Sequence, residues 1–380
     1  MKIGLISTMA GDSWGGSEEL WYALADIAKS AGHQVSVSLY NWGLLPEKAR
    51  VLKDKGVIFH FRNRLQGVSL KEKINAKLNQ LVRAEKQLSQ FVKKNNQDVL
   101  LISLGALCEL EMPPILSFLE NIQTPYCIVV HSNLDYHTVP FDKVAKIRRV
   151  LKNARVVYFV SNRLIEQTER QIAVKLSNSA IVKNPVNMEI KGIMPYPKSE
   201  LINFAVVGSL QVGIKGQAYL LQILSSKKWC NRNWVLNIYG NGPDEQLLLE
   251  LIELYQLTDK VFLKGFVNDV REEIWKSNHI LLMPSFKEGL PIALIEAMLC
   301  GRTAVVTDAG GNKEVIPDDS VAFIADAPTN RSFEKMLDIA WGRKDDWGKM
   351  GEKSFSVANS FFGENPIGEL FTELLKLKKD

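Results

Sequence analysis

Two carboxylates, Glu288 and Glu296, stand in PSFKEGLPIALIEAMLCGR (residues 284–302), a stretch otherwise dominated by apolar side chains. Glu296 has Ile292, Leu294, Ile295, Ala297 and Met298 around it, and a carboxylate in such company needs a partner. Taken singly, Glu296 reads as half of a surface ion pair and Glu288 as a solvated loop residue. Taken together they read as a functional pair. Lys215, in GIKGQ, offers the opposite charge and can meet an anionic group as its charge grows. His131 ends the apolar run YCIVVH, and the carboxyl end of a parallel strand is where such sheets bind ligands. Asp135 and His137 nearby are weaker candidates.

The elements that must position these groups alternate in type. HILLMP before Glu288 has the look of a buried parallel strand, and Pro291 suits the first turn of a helix, where its missing N–H costs nothing. INFAVVG restarts a strand, loop, helix pattern in which Lys215 and Gly216 open the helix. At the N-terminus, KIGLIST runs into a loop bearing Gly11, Gly15 and Gly16 that opens another helix. These glycines lack the G-x-G-x-x-G spacing of a dinucleotide fingerprint. They permit backbone N–H groups to approach a ligand closely at a helix N-terminus, or they form an ordinary tight turn.

Glu, Gly, a small apolar turn, Pro and then a helix with a second Glu form a pattern that resembles the E-x7-E motif of retaining glycosyltransferases of the GT-B fold, family 4 in particular. The resemblance extends to the preceding strand, to TDAGGNKEVI, to NPVN near residue 185 and to VVHSN. It implies two Rossmann-like doubly wound α/β domains facing a central cleft and closing on the donor, with the last helix crossing back to the first domain. By that likeness Glu288 lies beside the donor sugar, Glu296 binds the ribose, and His131 contacts the sugar near the reacting carbon. Gly15 and Gly16 face acceptor and donor phosphates; Ser209, Gly289 and Leu290 belong to the donor site; Phe266 and Val267 lie near the base. The family's phosphate-binding Arg is here Ser209. Either Lys215 and the helix N-termini at Gly16 and Pro291 hold the phosphates alone, or Lys264 or Lys287 replaces the Arg.

The resemblance implies a nucleoside-diphosphate sugar as substrate, UDP- or GDP-linked, with no cofactor and no metal. It implies a glycan or lipid-linked acceptor, in a setting of polysaccharide or glycolipid assembly. There is no D-x-D; Asp318 and Asp319 read as a turn. An epimerase shares the two-domain layout but not the paired glutamates, and a nicotinamide oxidoreductase would need the missing glycine fingerprint. A non-catalytic nucleotide-binding relative is favoured only by Ser209.

A chain of 380 residues, 46% hydrophobic and 23% charged, suits two soluble domains. The expected boundaries are 1–185 with a C-terminal helix at 363–380, a proline-bearing linker at 186–200, and 201–355. Phe361, Phe362, Leu370, Phe371 and Leu374 are expected as the apolar face of that final helical region. No apolar run reaches bilayer length, and the N-terminus lacks a secretory pattern, so a cytoplasmic location is expected. Cys108, Cys127, Cys230 and Cys300 show no metal or redox spacing. The net charge of +5 is mild: it allows anionic substrates or a membrane surface and proves neither, and no nucleic-acid partner is expected. From Arg62 to Lys94, nine Lys or Arg stand against two Glu, either a solvated face or a peripheral contact with anionic lipid.

Overall fold

The structure, a computed structural model, describes all residues except 10–13, 64–71, 363–364 and 378–380; at 72–82 only the backbone is described. Gly11 therefore lies outside the described residues, as do Arg64 and Lys71 of the basic stretch and the charged side chains of residues 72–82. The chain divides into two compact units, Met1–Pro185 with Glu364–Asp380, and Val186–Gly363.

In the first unit the strands are β1 (Lys2–Ser7), β2 (Gln34–Tyr40), β3 (Ile58–Arg62), β4 (Val99–Leu104), β5 (Tyr126–Val130), β6 (Val157–Phe159) and β7 (Ser179–Ile181). They form one sheet in the order β3-β2-β1-β4-β5-β6-β7, with every pairing parallel. Apolar runs such as VLLISL in β4 and YCIVV in β5 are buried along their whole length, as strands covered on both faces require. The strand order reverses between β1 and β4, opening a crevice at the carboxyl ends of those two strands. The helix Pro366–Lys376 packs against the helix Gly16–Ser30, with Leu370 and Leu374 buried and Phe371 edge-on to His33 at 5.5 Å. Phe361 and Phe362 instead close the helix Trp347–Phe362 of the second unit.

The second unit carries β8 (Ile202–Val207), β9 (Trp234–Tyr239), β10 (Val261–Gly265), β11 (Ile280–Met283), β12 (Thr303–Thr307) and β13 (Phe323–Ala325), again all parallel, in the order β10-β9-β8-β11-β12-β13. Its core gathers Phe204, Trp229, Trp234, Phe333 and Trp347. Among the described residues no helix is long and apolar enough to cross a membrane.

The composition of residues 186–200 suggests a linker, yet they are docked on the second unit. Arg302 is fully buried and donates to the carbonyls of Met194 (3.2 Å) and Pro195 (2.8 Å), as well as to those of Trp275, Asn278 and Cys300. Prolines break helices, but their carbonyls remain good acceptors, and here a buried guanidinium uses one. Ser179–Ile181, just before this segment, pairs as β7 at the sheet edge of the first unit.

Candidate active site

In the second unit the loop after β11 is held from below and from the side. Phe286 N donates to the Ile214 carbonyl at 2.8 Å, Thr307 Oγ1 to the Ser285 carbonyl at 2.5 Å, and the Tyr219 hydroxyl to the Pro284 carbonyl. Residues Val212–Lys215 form one helical turn ending at Gly216, which is left-handed (φ +70°) and caps the next helix, Gln217–Leu224. Lys215 thus closes a turn rather than opening the helix. A Cβ at residue 216 would lie 2.1 Å from the Pro284 carbonyl oxygen, so only glycine lets the two loops approach this closely. The result is a direct contact: Lys215 Nζ sits 2.8 Å from Glu288 Oε1, with the lysine side chain 23% and the glutamate side chain 8% exposed.

Glu288 is fixed from the other side by the DAGG loop. Gly310 is left-handed (φ +50°), a Cβ there would meet the Glu288 carbonyl oxygen at 2.3 Å, and Gly311 N donates to the Gly289 carbonyl at 2.8 Å. Leu290 is buried, Pro291 precedes the helix, and the helix proper runs Ile292–Leu299. Glu296, 4% exposed, accepts from Asn187 N at 2.9 Å. Its partner is thus a main-chain N–H of the 186–200 segment, with no Lys or Arg needed to satisfy that oxygen.

Ser209 follows Gly208 at the end of β8, and its carbonyl accepts from Gln217 Nε2 at 2.9 Å. A Cβ on Gly208 would be 3.5 Å from Lys215 Cε, so the lysine stem passes directly over the residue before Ser209. Lys264 instead lies over the Phe262 ring, 5.2 Å from its centroid. Phe266 and Val267 follow β10 at the sheet edge, and Phe266 is 69% exposed.

In the first unit Gly15 caps the helix Gly16–Ser30, and a Cβ at Gly16 would touch nothing described within 4 Å. The positive end of that helix is already met by its own Glu18 and Glu19, which tempers its use for a phosphate. Burial raises the Glu18 carboxyl above the ordinary range even though Ser7 and Ser17 hydroxyls donate to it at 2.5 and 3.0 Å. His131 directly follows β5, is 6% exposed, and pairs through Nε2 with Ser103 Oγ at 3.1 Å. Burial pushes its imidazole down to about 3, a shift that the Asn184 side chain opposes in part. Asp135 and His137 are engaged elsewhere: Asp135 accepts from Gln167 and pairs with Arg163 and Arg170, and His137 pairs with Glu111. Asp318 accepts from Ser320 N at 2.8 Å in a turn.

Residues 197–353 match the model of the family described as glycosyl transferases group 1. An uncharacterized glycosyltransferase of Haemophilus influenzae is 26% identical over 75% of this chain and 78% of its own length. With Anabaena HepE, solved in complex with UDP, the chain shares a fold at TM-score 0.72 and 15% identity, covering 99% of this chain and 100% of that one. The chain has the GT-B fold, and its residues 197–353 carry the match to the glycosyl transferases group 1 family. A phosphatidylinositol N-acetylglucosaminyltransferase component of Arabidopsis thaliana is 32% identical over 38% of this chain, and the chain spans 32% of that relative's length. The matched region takes in Lys215, Glu288 and Glu296, whereas His131, Gly15 and Gly16 fall outside it.

Three features escaped sequence reasoning. Arg302 looks like a surface residue after Cys-Gly, Asn187 carries no motif, and Glu109 is an unremarked acid in LCELE. For Arg302, an Arg immediately before the apolar strand TAVVT was the available signal.

Proposed function

We propose that this protein is a retaining glycosyltransferase that moves a sugar from a nucleoside-diphosphate donor to a hydroxyl of a glycan, glycolipid or small acceptor, without an obligatory metal ion. The observation that carries the reading is the Lys215–Glu288 contact at 2.8 Å, a cation and a carboxylate held side by side by glycine-dependent loops. As the bond between sugar and diphosphate breaks, positive charge grows at the anomeric carbon and negative charge on the leaving group. Lys215, with the N-terminus of the Ile292–Leu299 helix, would meet the diphosphate, and Glu288 would hold sugar hydroxyls and favour the oxocarbenium-like state. Lys215 lies over Gly208 beside Ser209, which supports assigning it the role that an Arg plays at the neighbouring position in family members.

Glu296 would take the ribose hydroxyls, with Asn187 N holding its other side. Phe266 and Val267 would meet the base, Gly289 and Leu290 the sugar and phosphates, and His131, Gly15 and Gly16 would complete the substrate contacts from the first unit. We assign no general base: in a front-face mechanism the departing phosphate takes the acceptor proton and configuration is retained. UDP is the nucleotide bound in HepE and is the first to try here. A peripheral contact with anionic lipid would draw on the basic stretch from Arg62 to Lys94, with nine Lys or Arg against two Glu.

The test is nucleotide release from UDP-, GDP- and ADP-sugars in excess EDTA, with a pool of methyl and octyl glycosides as acceptors. Release from one base, abolished by Glu288→Gln and insensitive to EDTA, is expected. Release that needs a divalent ion would overturn the metal-independent scheme, and no release from any donor would remove the transferase reading.

A further inference from the structure

The crevice where the strand order of the first unit reverses, between β1 and β4, is bridged by a carboxylate that the transferase scheme does not use. Thr8, just after β1, and Gly105, just after β4, both donate to Oε2 of Glu109, the threonine through its hydroxyl and the glycine through its N–H at 2.9 Å. Neither bond involves Oε1. That oxygen lies 2.8 Å from where a Cβ on residue 105 would be, so the missing side chain of Gly105 makes its room. The Ala106 N–H also faces the carboxylate.

The surroundings are polar, continuous and deep. Thr8 Oγ1 also reaches the Ser103 carbonyl at 3.0 Å, and Ser103 Oγ meets His131 Nε2, so Glu109 and His131 are joined across the ends of β1, β4 and β5. His131 is 94% removed from solvent, and the Asn184 side chain faces its imidazole. A polar run at the carboxyl ends of the strands beside a strand-order reversal is where such sheets bind ligands.

Charge narrows what that ligand is. Glu18 and Glu109 both face the crevice, and the cation near them, Arg62, donates to the Ser7 carbonyl and lies 4.2 Å from the Tyr40 ring. A phosphate here would meet two acids and a cation already engaged. A neutral hydroxyl would find an acceptor in Oε1.

We propose that Glu109 is a substrate-binding residue which accepts a hydrogen bond from a hydroxyl of a neutral, polyol-type acceptor through Oε1, and that this crevice selects such acceptors over phosphorylated ones. The proposal rests on the transferase reading above and specifies the acceptor class for it.

Saturation-transfer NMR at pH 8, in the presence of UDP, tests it with methyl glucoside, methyl N-acetylglucosaminide and myo-inositol against glucose 6-phosphate and inositol 1-phosphate. At least one neutral compound binds the wild type, and Glu109→Gln weakens it about tenfold or more, as expected for a hydrogen bond to a charged group. The phosphorylated compounds bind no more tightly than their neutral counterparts. Gly105→Ala, which pushes on Oε1 while keeping the charge, weakens the same compound. An unchanged affinity in both variants, preference for a phosphorylated compound, or no neutral ligand for the wild type overturns the proposal. The UDP-induced rise in melting temperature is read in the same samples: it stays equal in wild type and Glu109→Gln if only this proposal fails, and is absent from the wild type if the transferase reading fails.

Discussion

Removing Lys215 separates the structural and chemical roles of the Lys215–Glu288 pair. In Lys215→Met, Glu288 keeps its charge with a side chain 8% exposed and loses the cation 2.8 Å away. Breaking a fully buried pair in this way costs roughly 3–5 kcal/mol; because the lysine is 23% exposed, about 2–3 kcal/mol is expected. Glu288→Gln leaves a cation that can turn to water and costs less, about 1 kcal/mol. The double variant Lys215→Met/Glu288→Gln removes both charges and recovers most of the loss, because no unpaired buried charge remains. Turnover does not recover. Losing one charge that stabilises the departing diphosphate lowers the rate by about 10²–10³-fold, and the double variant stays at least that slow. Urea denaturation followed by the tryptophans of the second unit gives the stabilities, and nucleotide release gives the turnover. A double variant that regains turnover, or a Lys215→Met protein as stable as wild type, would refute the reasoning.

Arg302→Met strips the buried donor from the Met194 and Pro195 carbonyls; a loss of roughly 3 kcal/mol or more is expected, with faster hydrogen exchange across residues 186–200, read by mass spectrometry. Gly216→Ala forces a Cβ into the Pro284 carbonyl at a left-handed residue, so it costs about 1–3 kcal/mol and lowers turnover by misplacing Lys215. Burial, opposed by Thr8 and Gly105 and reinforced by Glu18, raises Glu109 to about 7 from 4.5. The native state therefore holds a proton that the unfolded chain releases: the stability is present below about 4.5 and is lost as pH rises through about 7. Glu109→Gln should remove that decline in a pH series of denaturation curves. His131, pushed down to about 3, acts in the opposite sense: its contribution is present above 6.5 and lost as pH falls toward 3, and His131→Asn should flatten that acid limb.

Alternating apolar runs and helical stretches carried the two-sheet architecture, since strands buried on both faces announce themselves as continuous apolar segments. Glu288 and Lys215 stood out separately in the sequence, as a carboxylate and a cation after two strands, β11 and β8, that are neighbours only in the sheet; their contact was not legible. Nor was its glycine-dependent approach at Gly216 and Gly310, because nothing local distinguishes a loop glycine that meets a carbonyl from one in open turn. For residues 186–200, composition reports what breaks a helix and is silent about a guanidinium more than one hundred positions away that collects the Met194 and Pro195 carbonyls. Glu109 was invisible for the same reason: its burial arises when Thr8, 101 positions earlier, folds onto it. Sequence reveals local preference, whereas partners distant along the chain appear only once the sheet order brings them together.

The most direct test of the donor assignment is the melting temperature of wild type and Glu296→Ala across UDP, GDP, ADP and their sugar conjugates, since a ligand bound only by the folded protein raises it. A rise with one base in the wild type that is largely lost in Glu296→Ala is the predicted result, because the carboxylate facing Asn187 N would no longer hold the ribose. An equal rise in both proteins would contradict the ribose assignment, and no rise with any nucleotide would contradict the account of the second unit as the donor site.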